Sequence, residues 1–234
     1  MRVSLEDPPD NRALRKQDAF WNYEDLTLFV GAILPAWLFA MVAIRPIHFS
    51  SQGLRQIVFQ VFLYLFLAAV LYVLIARRYH RPFWRSLGWN FDFRGAWLYA
   101  LIGPPLALGL AALGAFLRAP ENATVRNLMT DRVSTIAVVC FGAFVGPICE
   151  EMAFRGFLQP LLTRSLGAWP AIVLADVPFA LLHGPAWQSI GIIAIAGLVL
   201  GYVRYRTGST AASALVHVGY NATLFVGFLI TRSV

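Results

Sequence analysis

Four uninterrupted apolar blocks constrain this chain more than anything else in it: Leu26–Ile44, Ile57–Ala76, Ala96–Leu117 and Val133–Ile148 contain no charged residue. About 20 apolar residues, rising about 1.5 Å each as a helix, cross the roughly 30 Å hydrocarbon core of a bilayer. A water-soluble domain has no interior large enough for them. The chain is 59% hydrophobic and 13% charged, against about 45–50% and about 25% in ordinary globular domains. The expected fold is all-α, a polytopic transmembrane helical bundle with about seven spans. Disordered chains, collagen, secreted disulfide scaffolds and soluble Rossmann or barrel enzymes are excluded. A membrane β-barrel is excluded too, because its strands alternate polar and apolar residues.

The spans are expected at about 25–44, 55–76, 95–117, 133–163, 169–183, 188–204 and 209–230. Arg45-Pro46, the run Arg77 to Pro82, Arg118 to Pro120, Gly167 to Pro170 and Gly208 separate them. Pro35, Pro104-Pro105 and Pro147 fall inside spans, where a proline is tolerated if neighbours satisfy the freed backbone groups. Three regions follow: a polar N-terminal tail over 1–24, exposed or lying at the interface; the first three spans and their loops over 25–132; and a four-span core over 133–230.

The net charge of +7 does not point to nucleic acid, because 18 of the 19 cations are Arg and nearly all lie between apolar blocks. They read as topology signals and lipid-headgroup contacts. Twelve Lys and Arg fall on the side of the N-terminus and six on the other, which predicts a cytoplasmic N-terminus in a multi-pass protein of the plasma membrane. Cys140 and Cys149 read as buried free thiols. Asn122-Ala123-Thr124 and Asn221-Ala222-Thr223 match a glycosylation sequon, a weak signal.

Few polar residues remain to do chemistry. Glu150, Glu151 and Asp176 among the acids, and His183 and His217 among the histidines, lie inside apolar spans. Each costs about 2.5–3.5 kcal/mol to insert, so such groups face a bundle interior and have a task. Counting from the turn near Gly167, Glu150 and His183 stand at a common depth of about 20 Å. Counting from Gly208, His217 and Asn221, spaced i to i+4, reach the same layer. Glu151 and Arg155 share that spacing and form a buried pair, leaving Glu150 free as a general base for water. His217 and Asn221 are candidate oxyanion donors. Asp176 reads as a hydrogen-bond partner bridging spans. Gly184-Pro185 ends the fifth span at membrane depth, where irregular backbone lines protein or water.

The order of these residues resembles a known family. Glu150-Glu151-Met152-Ala153-Phe154-Arg155 fits EExxxR, Phe179 to His183 fits FxxxH and His217 to Asn221 fits HxxxN, as in the CPBP (Abi) intramembrane proteases, which include type II CAAX prenyl endopeptidases. The resemblance covers about 133–225. It implies a glutamate-type peptidase in which Glu150 and His183 activate water and His217 and Asn221 form the oxyanion hole. Glu151, Arg155 and Phe179 resemble the supporting residues. Its substrate would be a membrane-bound peptide or protein, such as a prenylated CAAX chain, with the lipid bilayer as the other partner. No cofactor is expected; zinc is the second choice, because His, His and Glu can hold it whereas Asn suits an oxyanion better. The rival readings are a non-catalytic immunity or regulatory membrane protein of the same fold, and a proton-coupled transporter, which would usually show an inverted repeat.

Overall fold

Polar caps start and stop the apolar runs. The computed structural model describes residues 19–90, 97–120, 123–184 and 186–232, and every regular element among them is a helix. Six are long and apolar enough to cross a membrane: α1 (Tyr23–Ala43), α2 (Gln52–Arg78), α3 (Trp97–Phe116), α4 (Arg132–Leu166), α6 (Trp187–Thr207) and α7 (Thr210–Thr231). Between α4 and α6 lies the shorter apolar α5 (Ala168–Leu181). These are the seven expected elements, one of them too short to span alone.

Asn22 caps α1 by accepting from the N–H groups of Glu24 and Asp25, while Asp25 accepts from Asn22. Asp25 is fully buried, and it also takes the Tyr79 hydroxyl at 2.5 Å and an Arg78 contact at 3.2 Å, which fastens the start of α1 to the end of α2. Asp131 opens α4 in the same way. Hydrogen bonds from the backbone and the hydroxyl of Ser134 hold its carboxyl down at about 2. Gly208, with φ +65, closes α6 in the left-handed conformation that favours glycine.

Most of the polar N-terminal tail and Asn122 of the first sequon lie outside the described residues. The tail's last residues are seated in the bundle. Trp21, 1% exposed, donates its indole N–H to the Phe157 carbonyl at 3.1 Å, and Arg164 reaches the Ala19 carbonyl. The thiols differ from expectation: Cys140 is exposed and Cys149 half-buried. In a membrane a lipid-facing surface is as apolar as the interior, so an apolar side chain there has no reason to turn inward.

Close helix crossings rely on missing side chains. A Cβ on Gly103 of α3 would lie 2.3 Å from the Tyr220 amide nitrogen, and one on Gly219 of α7 would lie 2.3 Å from the Ala100 carbonyl oxygen. The two helices therefore touch backbone to backbone.

Inside α4, the helix that carries both acids, the backbone widens twice to π-helical geometry, at Phe141–Val145 and at Met152–Leu158. Each widened segment ends two residues before a proline, Pro147 or Pro160. In that register the Gly146 N–H goes to the Phe141 carbonyl and the Gln159 N–H to the Phe154 carbonyl. The next N–H in each series would belong to the proline, which has none, so the carbonyls of Gly142 and Arg155 lose their helical partners. Side chains from neighbouring helices take them: Asn221 Nδ2 of α7 donates to Gly142 at 2.8 Å, and Arg204 Nε of α6 donates to Arg155 at 3.1 Å. This is the exchange a membrane demands of a helix containing proline.

Candidate active site

Glu150 and Glu151 sit between the two widened segments of α4 and point different ways, as adjacent helical residues must. Glu151 is fully buried. Its Oε1 accepts from Arg155 Nη1 at 3.0 Å, as the i to i+4 spacing predicts, and also faces His217 Nδ1 at 3.1 Å; its Oε2 accepts from the Ser213 hydroxyl at 2.5 Å. Sequence spacing identified the first of these three partners.

Arg155 is 1% exposed and satisfied on several sides. It donates to Glu151 and to the Gly197 carbonyl at 2.8 Å, lies 3.7 Å from Asp176 Oδ1, and stands over the Phe179 ring at 4.3 Å. One turn on, Gln159 Nε2 donates to the Gly201 carbonyl at 2.9 Å. Thus α4 grips the backbone of α6. Asp176 does bridge helices, but through the Arg155 charge, and among the described residues its Oδ1 accepts no hydrogen bond. Gly197 makes room for it: a Cβ there would meet Asp176 Oδ1 at 1.6 Å.

Glu150 is part-exposed, its side chain 21% accessible. Its Oε2 lies 3.9 Å from His183 Nε2 and 3.9 Å from His217 Nε2. The ring protons can be placed from the partners. His183 Nδ1 lies 2.7 Å from the Phe179 carbonyl, an acceptor, and His217 Nδ1 lies against the Glu151 carboxylate, so each Nδ1 carries the hydrogen. In the neutral rings both Nε2 atoms then present lone pairs towards Glu150. Three acceptors converge with no donor between them, at separations too long for direct hydrogen bonds. A water molecule between Glu150 Oε2 and one of the Nε2 atoms can donate a hydrogen to each.

Helix α5 brings His183 to this point by stopping early. Its 14 residues rise about 21 Å, short of the roughly 30 Å core. His183 follows in a turn and Gly184 has φ +138, a conformation side chains disfavour; Pro185 lies outside the described residues. Phe179 supports the group from beneath, its ring centroid 4.7 Å from His183 and 5.8 Å from His217. Asn221 stands one turn beyond His217 on α7 and commits one of its two amide hydrogens to the Gly142 carbonyl.

Two imidazoles and a carboxylate, with a carbonyl and a second carboxylate behind the rings, suit zinc in kind. Their spacing does not. Tetrahedral ligands at about 2.0–2.1 Å stand about 3.3 Å apart, whereas the Nε2 to Oε2 separations are 3.9 Å. No three His, Cys, Asp or Glu side chains among the described residues are placed to hold a metal ion.

Two contributors were not recognised from sequence. Tyr64 of α2 donates its hydroxyl to Glu150 Oε1 at 3.1 Å, and Ser213 of α7 binds Glu151. A hydroxyl inside an otherwise apolar run was the available signal for each.

No curated protein and no solved structure matches the chain. A family model does, over the part of the chain that supplies both acids, both histidines, Arg155 and Asn221. That model, the type II CAAX prenyl endopeptidase Rce1-like one, matches residues 132–223.

Proposed function

We propose that the protein is a glutamate-type intramembrane endopeptidase that hydrolyses a peptide bond in a membrane-bound peptide or protein, with a prenylated CAAX-type chain as the favoured substrate. The observation that carries this reading is the approach of His183 Nε2 and His217 Nε2 to one oxygen of Glu150 at 3.9 Å each. Such a site holds a water by its two hydrogens and aims its oxygen outward.

Glu150 takes a proton as the water oxygen bonds to the scissile carbonyl carbon, with His183 orienting the water. The carbonyl oxygen becomes an oxyanion. The remaining amide hydrogen of Asn221 and, when the ring carries both protons, His217 Nε2–H supply its donors. Collapse of the intermediate breaks the C–N bond, and the proton held by Glu150 goes to the leaving amine. Glu151, Arg155 and Phe179 hold His217 and His183 in place. No step uses a metal. The arginine distribution supports a cytoplasmic N-terminus, and we place the protein in the plasma membrane.

The test is a cleavage assay on the purified protein in lipid nanodiscs, using a farnesylated peptide ending in a CAAX sequence, its unprenylated twin, and Glu150→Ala as control. Cleavage of the farnesylated peptide by the native protein alone is expected, and it should survive EDTA and phenanthroline. Restoration of a chelated sample by zinc would replace the metal-free reading. No cleavage of either peptide by a folded protein would sink the proposed substrate class.

A further inference from the structure

Every residue given a chemical role so far lies within 132–223, yet the one side-chain hydrogen bond that Glu150 makes among the described residues comes from outside that segment. Tyr64 sits on α2, its ring packed against Phe141 of α4 with centroids 5.5 Å apart, and its hydroxyl donates to Glu150 Oε1 at 3.1 Å. Phe141 is buried and opens the first widened segment of α4, so the tyrosine rests on the same stretch of helix that presents the acid.

We propose that Tyr64 is a positioning residue of the site, fixing Glu150 so that Oε2 is the oxygen offered to the two histidines. The terminal torsion of a glutamate is broad and nearly two-fold, so an unrestrained carboxylate exchanges its oxygens and drifts. A hydroxyl bound to Oε1 removes that freedom. Oε1 is then occupied and turned away, and Oε2 alone faces the Nε2 atoms of His183 and His217. The catalytic meaning of this contact rests on the proposed function. The consequence is specific: the first three spans supply part of the site, and a core cut at residue 132 would lack it.

Tyr64→Phe tests this cleanly, because it keeps the ring on Phe141 and removes only the hydroxyl. In the farnesylated-peptide assay kcat should fall about tenfold or more with KM unchanged, since a hydrogen bond to a charged group is lost while substrate contacts stay. In a Glu150→Asp background, where the shortened acid is out of reach, the same change should have little further effect. A second readout does not depend on turnover. In protein carrying ¹³C-labelled glutamate, the infrared carboxylate band that disappears in Glu150→Gln should shift in Tyr64→Phe. An unmoved band, whatever the kinetics, would overturn the proposal, as would additive losses in the Asp background. A shifted band in a protein that cleaves nothing would uphold the positioning contact and count against the peptidase reading alone.

Discussion

His217 Nδ1 lies 3.1 Å from Glu151 Oε1, and this contact decides which face of the imidazole reaches Glu150. Arg155 holds the same oxygen and Ser213 the other, so the carboxylate can only accept and the ring must donate from Nδ1. Glu151→Gln keeps the shape but removes the negative charge that stabilises the ring when it carries both protons, the form in which Nε2–H serves the oxyanion. The expected result is a folded protein with kcat lowered by about 10²–10⁴, the scale on which losing a histidine's orienting carboxylate acts. Wild-type turnover by Glu151→Gln would show that the Glu151 charge does not support the doubly protonated ring.

Removing Arg155 acts differently. Arg155→Ala leaves Glu151 buried without its cation and strips Asp176 of the cation it pairs with among the described residues. A loss of about 3–5 kcal/mol is expected for such a break. It should appear as a lower unfolding midpoint or poor insertion, measured in detergent against wild type. A stable, active Arg155→Ala would contradict the buried pair.

Glu150 and His183 are assigned to one water. Each alanine variant should abolish cleavage, and the double variant should be scarcely worse than either. Independent, additive losses in kcat/KM would separate their roles.

Water must reach the layer of His183 for hydrolysis to occur there. Single cysteines at Ala186 and Ala222, in a protein lacking Cys140 and Cys149, should react with small hydrophilic thiol reagents although they adjoin or lie within apolar helices. Gly184, with φ +138, is a poor third site because a cysteine there would be strained. Resistance at both positions in a folded protein would argue for a dry site and a non-catalytic role.

The amide of Asn221 is tied to Pro147 through the Gly142 carbonyl that the proline leaves unpaired. Asn221→Ala should therefore destabilise the native protein by about 1–3 kcal/mol, the cost of leaving a part-buried carbonyl within the membrane unsatisfied. In a Pro147→Ala background, where residue 147 regains its N–H, the same change should cost much less. A double-mutant cycle of unfolding midpoints measures the difference, and equal costs in both backgrounds would show that the proline is not the cause.

Much of this architecture can be read from residue order because a bilayer leaves few choices. Apolar blocks of about 20 residues have to be helices, and ionisable groups stranded inside the spans have to face the bundle interior. Depth counting placed Glu150 and His183 together, and helical spacing paired Glu151 with Arg155. Tyr64 escaped because an aromatic residue in an apolar run looks like packing, and its partner stands 86 positions away. The widened segments of α4 leave no periodic trace, so neither the Asn221 contact with Gly142 nor the Arg204 contact with Arg155 could be anticipated. Cys140 was misplaced because inside and outside are equally apolar.

Those two unpaired carbonyls also act as detents. A helix sliding along α4 in lipid meets a nearly featureless surface, yet α7 has a polar side chain that fits at Gly142 and α6 one that fits at Arg155. A slip of one turn, about 5.4 Å, would leave a bare carbonyl in hydrocarbon at a cost of several kcal/mol. His217 precedes Asn221 by one turn of α7 and travels with it. Its distance from Glu150 is thus indexed by Pro147, in the way a ratchet tooth sets the position of everything mounted on the same bar.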